Sequence, residues 1–179
     1  MDTIFYRIRS VSDKWYDDFY SVYSVSFPPF EQRNRKQQEY AFSFDSYHLD
    51  CLVEGGRFLA FIAYWDFDEY IYIEHLAVAP ACRNENTGSR ALRKMIDEKQ
   101  KMILLEIDPF TTDIARKRFR FYERLGFVMN NYAHRHPPYD KNFPPHELIL
   151  LSSGRPVNEV LFQTFRKDLS GIVMDGESE

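Results

Sequence analysis

A turn of small and polar residues lies between a strand pattern and a helix pattern near the middle of the chain. The strand pattern covers residues 70–78, and the helix pattern begins at Thr87. The first N–H groups of a helix have no partner within the helix, and the helix dipole adds positive charge there, so such a junction can bind a pyrophosphate. Asn86 and Gly88 suit a turn that approaches phosphate oxygens closely, because both tolerate unusual backbone angles. On these residues alone, an ordinary helix N-terminus is an equal alternative.

Two segments of the chain resemble motifs of one enzyme superfamily. Arg83-x-x-Asn86-x-Gly88 is similar to the acyl-CoA-binding motif R/Q-x-x-G-x-G/A of the GNAT N-acyltransferases, with Asn86 in place of the first glycine. Further along, residues 120–127 resemble the FYxxLGF segment of the same family, and a strand pattern separates the two motifs as in that family. The resemblance implies the GNAT fold of the α/β (α+β) class. This fold has a mixed sheet of about seven strands, antiparallel apart from a central parallel pair and flanked by helices.

The resemblance also implies where acetyl-CoA, the co-substrate, binds. The implied cofactor residues are the end of the strand and the turn that follows it: Leu76, Ala77, Val78, Arg83, Asn84, Glu85, Asn86, Thr87, Gly88 and Ser89. The backbone N–H of Leu76 or Val78 would polarise the thioester carbonyl, if the strand separates there from its neighbour. Glu85 is an acid beside an expected polyanion, and we expect it to point to solvent.

Two side chains are the predicted catalytic residues. Tyr122 stands where the family has the tyrosine beside the thioester sulfur, and a phenol with a pKa near 10 suits protonation of the coenzyme A thiolate. Glu74 stands where family members often carry a Glu or His facing the substrate amine, so it is predicted to act as the base, directly or through a water. The alternatives are a core aromatic for Tyr122 and an ion pair for Glu74. His75, on the other face of the strand, is a weaker candidate base, or a histidine packed under a helix.

The acceptor is expected between the first two helices and the connection that joins the last two strands, as in the family. The residues expected there are Phe27, Phe30, Glu31, Arg33, His134, His136, Tyr139 and Phe143. Aromatic side chains with few acids favour a small or partly apolar amine over a polybasic tail. The prediction is an N-acetyltransferase that transfers acetyl to a primary amine of a small molecule or peptide, by direct attack in a ternary complex.

The periodicity of the apolar residues predicts the elements that position these groups. Alternation predicts strands at residues 3–9, 47–53, 57–64, 70–78, 102–107, 127–132 and 147–151. Helical spacing predicts a helix from a Ser12 or Asp13 cap to Pro28, and further helices at residues 31–42, 87–100, 112–125 and 157–169. Gly55 and Gly56 predict a tight hairpin turn. Residues 135–145 form a proline-rich loop long enough to be functional. We expect one acyltransferase domain over residues 1–179, with a frayed tail at 175–179.

Composition limits the other classes of function. The chain has 179 residues, 44% of them apolar, which suits one domain with a core. Its net charge of −4 predicts no general attraction to nucleic acid or membranes. No apolar stretch is long enough for a membrane span, and Cys51 and Cys82 fit neither a disulfide framework nor a metal site. We therefore expect a cytoplasmic monomer or homodimer without a metal.

Three alternatives are left open by the residues. An acyl-CoA-binding sensor without turnover would also explain the turn, and is favoured by Asn86 in the motif. The basic run at residues 116–124 could bind RNA, although such a run is more often a solvated helix face. The triplet His134-Arg135-His136 resembles half of a metal site, but no carboxylate or cysteine is spaced in the sequence to complete it.

Overall fold

The computed structural model describes residues 4–83 and 85–175. The chain divides into two compact units, Met1–Lys101 and Met102–Glu179, and each is described by itself. Asn84, one of the predicted cofactor residues, lies outside the described residues. So does the predicted frayed tail, apart from Asp175. No helix within the described ranges has the length and apolar character needed to cross a membrane.

The first unit is an antiparallel four-stranded arrangement with three helices. Its elements are β1 (Ile4–Ile8), α1 (Tyr16–Ser26), α2 (Arg35–Phe42), β2 (Tyr47–Glu54), β3 (Arg57–Asp66), β4 (Tyr70–Val78) and α3 (Thr87–Lys99). The strands pair in the order β1-β2-β3-β4. Gly55 and Gly56 have φ angles of 56° and 76°, which form the tight turn predicted between β2 and β3.

The first two helices begin later than the sequence patterns indicate. The predicted Ser12 or Asp13 cap is wrong, because α1 begins at Tyr16, and its N-cap residue, Trp15, makes no capping side-chain hydrogen bond. The second helix begins at Arg35 rather than near residue 31, since Asn34 and Gln37 form a capping box at its start. Pro29–Glu31 forms a separate 3-10 turn. The capping box was readable in the sequence as Asn followed three residues later by Gln.

A β-bulge interrupts β4 at Glu74. Ala63 of β3 pairs with His75, and the next residue, Tyr64, pairs with Ile73, so Glu74 has no partner across the ladder. A bulge bends the strand and shifts the alternation of side chains. The simple alternation that we expected through Glu74 therefore does not hold, and the position of its side chain has to be taken from its contacts.

The second unit carries the remaining strands and two helices. Its elements are β5 (Met102–Ile107), α4 (Asp113–Glu123), β6 (Phe127–Met129), β7 (Arg135–His136), β8 (His146–Glu147), β9 (Ile149–Ser153) and α5 (Glu159–Asp168). β9 pairs antiparallel with β5 and β6. A single π-helical turn, Leu169–Val173, follows α5.

The proline-rich loop is closed at its base. Strands β7 and β8 pair as a short hairpin, Arg135 with Glu147 and His136 with His146. The strand predicted at 147–151 is therefore two strands, β8 and β9. The strand predicted at 127–132 ends at Met129. After it, the Asn130 side chain donates to the Leu150 carbonyl and the Ser152 hydroxyl and accepts from the Val157 N–H.

Candidate active site

The turn after β4 has the conformation that the sequence requires of it. A 3-10 turn, Pro80–Cys82, leads into it. Asn86 has φ 56° and ψ 16°, the left-handed conformation expected for the residue in the place of glycine. The Thr87 hydroxyl donates to the Cys82 carbonyl at 3.1 Å and fixes the start of α3. Thr87 and Cys82 are both buried, so this hydrogen bond fixes the turn to the core of the first unit.

The beginning of α3 is open to an anion. The Asn86 side chain makes no capping hydrogen bond to the helix, so it leaves the first N–H groups of α3 uncapped. Gly88 lies in the first turn of the helix and has no side chain that could cover these groups. Glu85 is exposed, as expected for an acid next to a polyanion site.

The backbone of β4 points two N–H groups away from β3. Ala79 donates to Leu59 of β3 at 2.8 Å, and antiparallel pairs alternate between hydrogen-bonded and non-bonded. Ala77 is therefore bonded to β3, whereas the N–H groups of Leu76 and Val78 face the opposite edge of β4. These are the two groups predicted to polarise the thioester carbonyl. Ala77, also predicted as a cofactor residue, is buried.

Arg83, the first residue of the motif, is exposed at the edge of the turn. Its Nε donates to the Val78 carbonyl at 3.4 Å. The guanidinium therefore lies over the end of β4, close to the backbone predicted to hold the cofactor.

Glu74 is held in a buried ion pair. The Arg33 Nε donates to Glu74 Oε1 at 2.7 Å, and the Trp65 indole donates to Oε2 at 2.7 Å. The Glu74 side chain is 0% exposed and that of Arg33 is 2% exposed. Burial alone would raise the pKa of Glu74, but the charges of Arg33 and His75, with the two hydrogen bonds, lower it to about 2. The ion pair that was the alternative for Glu74 is present, and a carboxylate in this state is a weak proton acceptor.

The same network orders the segment between α1 and α2. The Arg33 backbone N–H donates to the Tyr23 hydroxyl at 2.7 Å. His75 Nε2 hydrogen bonds the Glu31 carbonyl at 2.8 Å, and the His75 ring packs edge-on against Tyr23 and Phe27. His75 is thus a packed histidine beneath this segment. Three of the residues expected at the acceptor site, Phe27, Glu31 and Arg33, are tied to β4 by these contacts.

Tyr122 lies on α4 with its ring in the core of the second unit. The residue is 8% exposed and packs against Phe121 and Phe127. Its hydroxyl makes no hydrogen bond within the part of the chain that the structure describes. Burial raises the pKa of Tyr122, which keeps the phenol protonated at neutral pH.

Glu106 joins two histidines in a cluster that sequence reasoning missed. His134 Nε2 lies 2.5 Å from Glu106 Oε2, and His136 Nε2 lies 3.9 Å from Oε1. All three are buried side chains. The carboxylate that contacts the His134-Arg135-His136 triplet comes from β5, and the sequence spacing did not indicate this contact. Within residues 4–83 and 85–175, no group of three ligands has a metal-binding arrangement.

The basic run on α4 is partly neutralised. Arg116 pairs with Asp113 at 2.8 Å and Arg118 with Asp108 at 3.1 Å.

Of the loop residues expected at the acceptor site, Tyr139 is buried and stacks on His136, while Phe143 is 42% exposed.

The sequence of this chain is similar to those of known proteins. The acetyltransferase (GNAT) family matches residues 12–127, which include both motifs. The chain belongs to the GNAT acetyltransferase family. YjbC of Bacillus subtilis (strain 168), an acetyltransferase by name, is 32% identical over 114 residues. That match covers 62% of this chain and 56% of YjbC, so the chain spans about half the length of this curated relative.

Solved structures of GNAT proteins share the fold. A protein of Bacteroides thetaiotaomicron, a GNAT-family acetyltransferase by name, is 29% identical with a TM-score of 0.88 over 96% of this chain and 98% of its own. This likeness confirms the predicted fold class with its mixed seven-stranded sheet. A GNAT acetyltransferase of Elizabethkingia anophelis with acetyl-CoA bound has a TM-score of 0.56 at 14% identity, over 84% of this chain and 97% of its own. Members of the family with this fold therefore bind acetyl-CoA.

Proposed function

We propose that this GNAT family member is an N-acetyltransferase that moves acetyl from acetyl-CoA to a primary amine of a small molecule or peptide in the cytoplasm. The observation that carries the proposal is the turn at Asn86, which opens α3 in the left-handed conformation and leaves its first N–H groups uncapped. Such a helix start suits the pyrophosphate of the coenzyme. Acetyl-CoA bound to a protein of the same fold supports the choice of ligand.

The reaction begins when the neutral amine attacks the thioester carbonyl carbon. The N–H groups of Leu76 and Val78, which face away from β3, are the donors we assign to the developing oxyanion. Collapse of the tetrahedral intermediate breaks the C–S bond, and the nitrogen loses its proton to solvent. Acetyl-CoA thereby becomes coenzyme A, and the amine becomes an amide.

Tyr122 is assigned as the acid that protonates the departing sulfur. Its hydroxyl makes no hydrogen bond to any residue that the structure describes, so its proton can be donated to a bound thioester. Since burial raises the pKa of the phenol, the proton is in place at neutral pH and can be shared with the sulfur as negative charge develops on it.

Glu74 is assigned as a positioning residue for this reaction. Both of its oxygens already accept hydrogen bonds, and its pKa of about 2 makes proton transfer from an ammonium ion strongly uphill. Its bond to Arg33 instead holds the segment between α1 and α2 against the bulge of β4. A base role would require the Arg33 ion pair to open during turnover.

Thiol release with a panel of primary amines tests the proposal. Purified protein is incubated with acetyl-CoA, and free coenzyme A is measured with a thiol reagent, while a thermal shift reports binding. Amine-dependent thiol release supports the transferase. A thermal shift with acetyl-CoA but no release with any amine would identify the protein as a sensor, and the lack of a shift would exclude the turn as a coenzyme site.

A further inference from the structure

A cavity of about 450 Å³ lies in the second unit, beside the base of the β7–β8 hairpin. Leu148 and Ile149 form part of its apolar wall together with Pro109, and Arg135, Glu147 and Arg166 supply charged groups. Its volume falls within the range of small-molecule sites, roughly 300–1,000 Å³, and apolar walls with a few polar groups are typical of such sites. His134, one of the residues expected at the acceptor site, also lines the cavity. The steps assigned above to acetyl transfer use none of its charged groups.

The charges in the cavity do not balance. Arg135 and Glu147 neutralise each other in an ion pair of 3.3 Å. The Arg166 guanidinium makes neither a hydrogen bond nor an ion pair with any residue that the structure describes. Arg166, an exposed side chain, is therefore a cation of the lining without a counter-ion among the described residues, and such a group favours a ligand of opposite charge.

The Phe162 ring lies beside Arg166 at the edge of the cavity. The Arg166 guanidinium carbon lies 5.9 Å from the centre of the Phe162 ring. Tyr132 stacks on the Phe162 ring, with 4.0 Å between the two ring centroids. The Tyr132 hydroxyl donates to the Val157 carbonyl at 3.1 Å. A guanidinium held against a fixed ring loses less conformational freedom when it binds an anion.

We propose that this cavity binds a small organic carboxylate. The Arg166 fork receives the carboxylate through two parallel N–H···O bonds, which is the geometry that arginine prefers. The apolar part of the ligand lies against Leu148 and Ile149. An inorganic anion would leave these apolar walls without a partner.

Titration with 4-methylvalerate and its neutral amide tests the proposal on the whole chain. Calorimetry and thermal shift should show that the carboxylate binds and raises the melting temperature, and that the amide does neither. Arg166→Gln should weaken carboxylate binding by roughly tenfold to a hundredfold, the usual effect of losing a hydrogen-bonded charge. Lys167→Gln is the matched control, since Lys167 is the next exposed cation on α5 and does not line the cavity.

Four results would overturn the proposal. They are equal binding of the amide, unchanged binding in Arg166→Gln, no binding of 4-methylvalerate at any soluble concentration, and tighter binding of inorganic phosphate or of adenosine 3′,5′-bisphosphate. The last result would identify an ordinary phosphate site. Arg166→Lys separates charge from geometry, because lysine keeps the charge without the planar fork and should bind the carboxylate with intermediate affinity.

Discussion

Replacement of Glu74 by glutamine should lower the stability of the protein at neutral pH. The difference in stability between the wild type and Glu74→Gln should be smaller at acid pH. Glutamine keeps the shape of the side chain and removes its negative charge, so Arg33 remains buried without a counter-ion. The pKa of Glu74 falls from an ordinary value of 4.5 to about 2 in the folded protein. Since the folded pKa is depressed, the stabilisation is fully present above the unfolded pKa and is lost as the pH falls through about 4.5 towards about 2.

The size of the effect follows from that shift. A difference of about 2.5 pKa units corresponds to about 3 kcal/mol at pH 7, with 1.36 kcal/mol for each unit. At pH 3 about two fifths of this remains, because the folded carboxylate is still ionised while the unfolded one is protonated. Removal of one partner from a buried ion pair costs about 3–5 kcal/mol in other proteins, in agreement with this value.

Urea unfolding of the wild type and Glu74→Gln at pH 7 and pH 3 measures the difference. Glu39→Gln is the control, since Glu39 pairs with Arg35 at 3.2 Å on the surface and such exposed pairs contribute about 0–1 kcal/mol. A loss below about 1 kcal/mol at pH 7, or a loss of the same size at both pH values, would refute the buried ion pair as described. Turnover of Glu74→Gln should show a deficit that is constant with pH. A deficit that shrinks as the pH rises would restore Glu74 as the base.

Further predictions concern the thioester and the turn. Tyr122→Phe should lower turnover by about 10²- to 10⁴-fold with acetyl-CoA affinity unchanged. The control Tyr20→Phe, which changes an exposed tyrosine of α1, should alter neither turnover nor affinity. If Tyr122→Phe turns over as fast as the wild type, Tyr122 is a core residue only. Gly88→Val should abolish acetyl-CoA binding in calorimetry with the fold retained, because the new side chain occupies the space beside the first N–H groups of α3. Asn86→Gly should bind acetyl-CoA as well as the wild type or slightly better, since glycine adopts the left-handed conformation freely. A large loss of affinity in Asn86→Gly would show instead that the asparagine side chain contacts the ligand.

Local features of this protein could be predicted from the sequence because neighbouring residues determine them. The strand at Tyr70–Val78 was predicted to the residue, and the helix that begins at Thr87 was predicted at its first residue. The left-handed turn at Asn86 followed from the tolerance of asparagine for positive φ. The capping box at Asn34 and Gln37 was equally local, and the pattern was present but not used.

The partners of the candidate site residues were decided only by the tertiary structure. Arg33 and Glu74 are 41 residues apart, and His134 and Glu106 are 28 apart. Nothing in the spacing of these residues indicates which charges will meet, since strand register and the bulge at Glu74 determine it. The sequence shows a glutamate in the same way whether its carboxylate is in water or bound by a buried guanidinium. The pKa values of the two carboxylates nevertheless differ by more than two units, because burial strengthens the interaction between the charges.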